Sequence, residues 1–130
     1  MIFDTSFIID VMRRDENALK KFREVLSGDQ LQIITTPTLF ELYSGLAQSD
    51  KPYSEKEKII YTISHLITWH LDQKSAERGG EIHGKLTKEG QMIDSIDSMI
   101  AGIALISGER VLTRNTKHFS KIAGLKTETY

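Results

Sequence analysis

Short apolar runs alternate along this chain with longer stretches whose apolar residues recur every three or four positions. The runs at 1–4, 31–34, 67–71, 110–113 and 125–127 have strand length, and the first is cut off by an acid, Asp4. Between them lie helical stripes: Phe7, Ile8, Val11 and Met12; then Leu19, Phe22, Val25 and Leu26; then Leu39, Leu42, Tyr43 and Leu46; then Ile59, Ile60, Ile63, Leu66 and Ile67. A helix from Asp72 to about Leu86 follows, then one over 93–106, then a short one over 116–122. Strands that alternate with helices specify an α/β fold with a mostly parallel sheet and right-handed crossovers. In such sheets the ligand crevice opens beyond the carboxyl ends of the strands.

Several boundaries carry their own signals. Thr5-Ser6 is placed to cap the first helix and Asp15 the second. Thr36-Pro37 reads as an N-cap with proline at the first helical position. Ser54 and Glu57 have capping-box spacing. Gly79-Gly80 would weaken the helix that Asp72 opens unless something packs close there. The stretch 93–106 is apolar almost all round, which marks a buried helix, and Gly108 ends it.

With 130 residues, 39% of them apolar and 27% charged, the chain is expected to form one domain, 1–130, with a sizeable core. It has no apolar run of membrane-spanning length and no basic leader at its start, so a cytoplasmic protein with no membrane partner is expected. The absence of cysteine excludes disulfides, thiolate zinc sites and a cysteine nucleophile. Seventeen basic against 18 acidic side chains give a net charge of −1, which argues against gripping nucleic acid by bulk charge. An enzyme that handles RNA through a metal and a few local cations remains open. The four histidines, at 65, 70, 83 and 118, contain no i, i+4 pair of the zinc-hydrolase kind.

Acids in apolar surroundings narrow the chemistry. Asp4 would sit at the carboxyl end of the first strand, flanked by apolar residues, where a carboxylate must be paired, bind a metal or cap the following helix. Asp97 heads a stripe with Ile100, Ala101 and Ala104, at about 100° per residue. It is either the acid that the helix dipole favours behind an Asp94 N-cap, or one of two acids, with Asp94, facing a hard cation. Glu41 lies opposite the apolar stripe of its helix. Its own face carries Thr38, Ser44 and Gly45, small enough to lie against a sheet, and periodicity leaves both placements open. Asn115 suits a cap or turn after the fourth strand, while Arg114, Lys117 and His118 are either solvated or in reach of phosphates there.

Taken in order, Asp4-Thr5-Ser6, Glu41 within T-P-T-L-F-E-L-Y-S-G, Asp97 within D-S-I-D-S-M-I-A-G-I-A-L, and T-R-N-T-K-H-F resemble the PIN-domain ribonucleases, most closely the VapC toxins of toxin–antitoxin pairs. The resemblance covers the whole chain. It implies an α/β/α sandwich around a five-stranded, mostly parallel sheet, and an acid cluster of Asp4, Glu41 and Asp97 holding Mg²⁺ or Mn²⁺ for RNA phosphodiester hydrolysis. Asp4 and Asp97 would bind the metal directly, and Glu41 would orient the water or ligate through it. Asp94, Ser6, Thr113 and Asn115 are accessory candidates, and Arg13, Arg14, Arg114 and Lys117 are candidate phosphate contacts. Many relatives place a further acid after the fourth strand, where this chain has Asn115 and His118. That leaves three acids, few for a stable second metal ion.

The resemblance also implies a transfer RNA as a family-level substrate, a small antitoxin whose tail fills the active-site groove, and homodimers. The apolar stripes of the two early helices are either the dimer interface or plain core. Three rival readings remain: a non-catalytic PIN-like interaction domain, supported by Asn115 alone; a receiver-type phosphoacceptor; and an aspartate-nucleophile phosphatase. The receiver lacks an acid after the strand at 31–34, and the phosphatase lacks an acid at Ser6.

Overall fold

Neighbouring residues in each short strand face opposite ways, and that alternation builds two cores. The computed structural model describes residues 1–130. Its strands are β1 (Ile2–Phe3), β2 (Ile33–Thr35), β3 (Ile67–Trp69), β4 (Val111–Leu112) and β5 (Thr127–Glu128). Ile2, Ile33 and Val111 face one core, while Phe3, Ile34 and Leu112 face the other. The helices are α1 (Thr5–Met12), α2 (Glu16–Leu26), α3 (Thr36–Ala47), α4 (Pro52–Ile63), α5 (Gln73–Lys88), α6 (Ser95–Ser107) and α7 (Thr116–Phe119). Helices α1 to α4 cover the face of Phe3 with Phe7, Ile8, Val11, Val25, Leu42 and Ile59. Helices α5 to α7 cover the other with Ile82, Leu86, Ile100, Ala101, Ala104 and Phe119. The result is the expected α/β/α sandwich.

All strand pairs are parallel, in the order β3-β2-β1-β4-β5. The chain steps from β1 to β2 on one side, whereas β4 lies on the other, so the order reverses between β1 and β4. A crevice forms at such a switch point, beyond the strand ends. Asp4 follows β1 there and Thr113 follows β4.

Gly79 in α5 and Gly102 in α6 permit the close approach anticipated for the glycine pair. A Cβ on Gly79 would lie 2.7 Å from the Ser98 carbonyl oxygen, and one on Gly102 would collide with the Ser75 carbonyl. Backbone therefore lies against backbone, and α6 is held at a fixed depth with Asp97 in its first turn.

Some local expectations need correction. Asp4, not Thr5 or Ser6, occupies the N-cap position of α1. Thr35 caps α3, one residue earlier than expected, and its side chain accepts from the Thr38 N–H. Ser54 and Glu57 form no capping box: α4 already begins at Pro52, whose fixed φ and missing N–H suit a first turn. Leu26, Tyr43, Ile60 and Ile67 are exposed, so their stripes are only partly core. Asp15, Asp72 and Asp94 do cap their helices, each accepting from a backbone N–H. Gly108 ends α6 with φ of 72°.

Candidate active site

Asp4 is 2% exposed and stands at an N-cap position, yet its carboxylate makes no capping bond. Oδ2 instead accepts two hydroxyls, Ser6 Oγ and Thr113 Oγ1, each at 2.7 Å. Both hydroxyls have their direction fixed from behind. Ser6 Oγ accepts the Arg114 N–H at 3.3 Å, and Thr113 Oγ1 accepts the Asn115 N–H at 2.9 Å. Their protons are thereby left for Asp4. Oδ1 has no protein partner, and the structure contains no sealed, unpartnered polar side-chain atom, so Oδ1 opens to solvent.

Glu41 extends from α3 to the same place. Thr5 Oγ1 donates to its Oε1 at 2.5 Å, and its Oε2 has no protein partner. Burial raises its pKa. The Thr5 bond opposes that rise, and the charges of Asp4 and Asp94 add to it. Asp97 is 8% exposed. Its Oδ2 lies 3.0 Å from His118 Nδ1. Burial pushes Asp97 up to about 6, against the His118 hydrogen bond, with Asp4 and Asp94 again adding repulsion. Asp94 has one oxygen on the Ile96 N–H at 2.8 Å and is exposed at the rim.

Asp4, Glu41, Asp97 and Asp94 therefore share one electrostatic neighbourhood, brought together where α3 packs on α6 above the β1 end. In this structure no three of the carboxylate or imidazole side chains are gathered closely enough to hold a metal ion together. The donor chemistry nevertheless suits a hard divalent cation. It is all carboxylate oxygen, and each of the three principal acids has one oxygen tied to a donor and one free. A cation would also offset the repulsion from Asp4 and Asp94 that adds to the effect of burial on Glu41 and Asp97.

The cationic candidates separate. Arg114 does not face the crevice as a free phosphate contact: its Nη1 donates to Asp10 Oδ1 and Oδ2 at 2.7 and 2.9 Å. Asp10 lies one helical turn beyond Ser6 in α1, buried, and also accepts from Tyr130 Oη at 2.6 Å. Tyr130 packs edge-on against Phe7, and its hydroxyl pKa is raised by burial and by Asp10. Arg13 lines a cleft of about 280 Å³ that also contains Glu41, Ile9, Leu42, Leu46 and Lys58. Arg14, with φ of 61°, lines a different cleft of about 600 Å³, with Leu19, Phe22, Leu26 and Tyr61 and none of the acids. Lys117 is exposed on α7 and forms no ion pair. Asn115 sits at the N-cap position of α7 without making a side-chain cap, and its contribution to the site is its backbone N–H. Sequence reasoning missed Thr5 as the Glu41 partner and His118 as the Asp97 partner. Nothing local links positions 5 and 41, whereas the T-R-N-T-K-H-F motif did flag His118, but for phosphate.

A fold with acids at the β1/β4 switch point defines a class, the α/β proteins that gather carboxylates beyond the strand ends. Residues 1–125 match the PIN domain family. The tRNA(fMet)-specific endonuclease VapC of Shigella flexneri is 32% identical over 129 residues, covering 99% of this chain and 96% of its own length. Ribonuclease VapC2 of Haemophilus influenzae is 28% identical over 130 residues, with coverage of 99% and 96%. The DNA-bound VapBC structure from Salmonella typhimurium has a TM-score of 0.86 at 29% identity, covering 98% of this chain and 96% of that one. VapBC2 from Rickettsia felis, bound to a promoter DNA fragment, shares the fold with a TM-score of 0.89 at 24% identity, covering 100% and 99%. The chain belongs to the PIN domain family, and within it to the VapC-like ribonucleases.

Proposed function

We propose that this chain is the RNA-cleaving toxin of a toxin–antitoxin pair, and that Asp4, Glu41 and Asp97 hold Mg²⁺ or Mn²⁺ in the reaction. Its VapC relatives carry ribonuclease or endonuclease in their names over nearly the whole length of the chain. The non-catalytic alternative, which rested on Asn115, is not favoured, and the receiver and phosphatase readings fall with the family assignment. The observation that carries the mechanistic reading is the free oxygen on each of Asp4, Glu41 and Asp97, beside a partner oxygen held by a donor.

When bound, the divalent cation lowers the pKa of an attacking water and neutralises charge on the phosphoryl and leaving oxygens. The chain's own residues supply the rest. Ser6 and Thr113 lock the Asp4 carboxylate through Oδ2 and leave Oδ1 without a protein partner. Thr5 holds Glu41 Oε1 and leaves Oε2 to orient the water and accept its proton. Arg13 and Lys117 are the cations left to meet RNA phosphates. Arg114 is engaged by Asp10.

The partner is a small antitoxin, as in the VapBC complexes that the Salmonella structure exemplifies. The two clefts adjoin at Met12 and Lys58, which line both, and the first of them reaches Glu41. We assign these adjoining clefts to the antitoxin segment. This moves the homodimer contact away from the α1 and α2 stripes, to α3, where Phe40 and Tyr43 are exposed three residues apart. A transfer RNA substrate, as in the name of the Shigella relative, and a cytoplasmic site of action complete the proposal.

The test is end-mapping of RNA fragments after brief expression of the wild type beside Asp4→Ala. New ends confined to the wild type support the reading and identify the substrate. Identical RNA from both refutes it.

A further inference from the structure

We propose that His118 is a positioning residue for Asp97, donating from Nδ1 to Oδ2 so that Oδ1 is the oxygen presented to the cation. The proposal rests on the metal reading of the site given above, and goes beyond it by assigning a role to a side chain outside the acid set.

The three acids share one pattern. Asp4 has Oδ2 tied by Ser6 and Thr113, and Glu41 has Oε1 tied by Thr5. Asp97 has Oδ2 tied as well, and His118 is the side chain that does it. Each carboxylate thus has one oxygen immobilised by a donor from the chain and one left open. Fixing a ligand's orientation from behind in this way strengthens metal binding. Without His118 the Asp97 carboxylate would turn freely between oxygens, facing a neighbourhood of like charge.

His118 is itself held in place. Its neighbour Phe119 is fully buried in the core of α5 and α6. Its own N–H donates to the Asn115 carbonyl at 3.1 Å. The loop before it is pinned twice, by Thr113 to Asp4 just ahead of α1 and by Arg114 to Asp10 within α1. An imidazole on so fixed a backbone presents Nδ1 to one place. The ring is half exposed, and Nε2 has no protein partner, so the only side chain the ring engages is Asp97.

A histidine serving as an RNA phosphate contact, the role its motif suggested, makes a different prediction, and one set of variants separates the two. The probe is Mn²⁺ binding to the purified protein by calorimetry, run beside cleavage kinetics, for wild type, His118→Ala and His118→Asn. Asparagine places an amide N–H where Nδ1 stands, so it can keep the donor. We expect His118→Ala to weaken Mn²⁺ affinity roughly tenfold or more, with kcat reduced and KM for RNA little changed, and His118→Asn to restore most of both. Mn²⁺ affinity equal to wild type in His118→Ala, with a raised KM for RNA in both variants, would overturn the positioning role in favour of phosphate contact. Equal loss of Mn²⁺ affinity in both variants would overturn the donor assignment. A wild-type protein that takes up no Mn²⁺ would overturn the metal reading itself, and this inference with it.

Discussion

Thr113 Oγ1 donates to Asp4 Oδ2 at 2.7 Å, joining residues 109 positions apart across the ends of β4 and β1. Parallel pairing of these two strands, Phe3 beside Leu112, brings the next residue of each strand into contact. Thr113→Val keeps the shape and removes the donor. It should cost about 1 kcal/mol of stability by urea unfolding and lower cleavage roughly tenfold, since Ser6 alone then holds Asp4. Unchanged cleavage would show that one hydroxyl suffices.

Asp97 links stability to pH in an unusual direction. Its folded-state pKa is about 6 against an ordinary 3.8, so across that window the folded chain binds more protons than the unfolded one. Stability should therefore fall as pH rises from about 4 to 6, and Glu41, also raised, acts in the same sense. Asp97→Asn removes the buried charge and should be more stable than wild type above pH 6, by about 1–2 kcal/mol after screening, while losing cleavage. Chemical denaturation at pH 4.5 and 7.5 in metal-free buffer measures this. A variant less stable at both pH values would contradict the electrostatic account.

Arg114 should matter through Asp10. Arg114→Ala leaves a buried carboxylate with only Tyr130 for company and should cost about 1–3 kcal/mol. Pairing it with Asp10→Asn should recover part of the loss. A phosphate contact would instead leave thermal stability intact and change the salt dependence of RNA binding, which a melting curve beside a salt titration distinguishes.

Gly79→Ala should destabilise by about 1–3 kcal/mol, because its Cβ would meet the Ser98 carbonyl, which is backbone and cannot rotate aside. The exposed Gly80, with open space around its Cβ, should tolerate alanine. Thermal melts of the two variants decide it, and equal behaviour would refute the tight α5–α6 contact.

Much of this architecture was legible because its signals are local. The strand–helix alternation follows from short apolar runs, and Asp15, Asp72 and Asp94 announce their helices through capping chemistry that reads only a few residues ahead. Asp4 and Asp97 stood out because a charge among isoleucines, phenylalanines and alanines demands a reason. Glu41 did not, since its stripe faces away from its helix's apolar side and its partner Thr5 lies 36 positions off. Arg114 misled for the same reason: its binding partner is a buried acid on another element. Exposure of Leu26 and Ile60 was equally hidden, because an apolar stripe looks alike whether it faces core or an open groove.

Convergence of Asp4, Glu41 and Asp97 on one cation underlies the whole account, and anomalous diffraction from crystals soaked in Mn²⁺ tests it most directly. The account predicts one strong peak bonded to Asp4 and Asp97, with Glu41 within reach through a water, and no peak in Asp97→Asn. A peak held elsewhere, or none beside these three residues at saturating Mn²⁺, would contradict it.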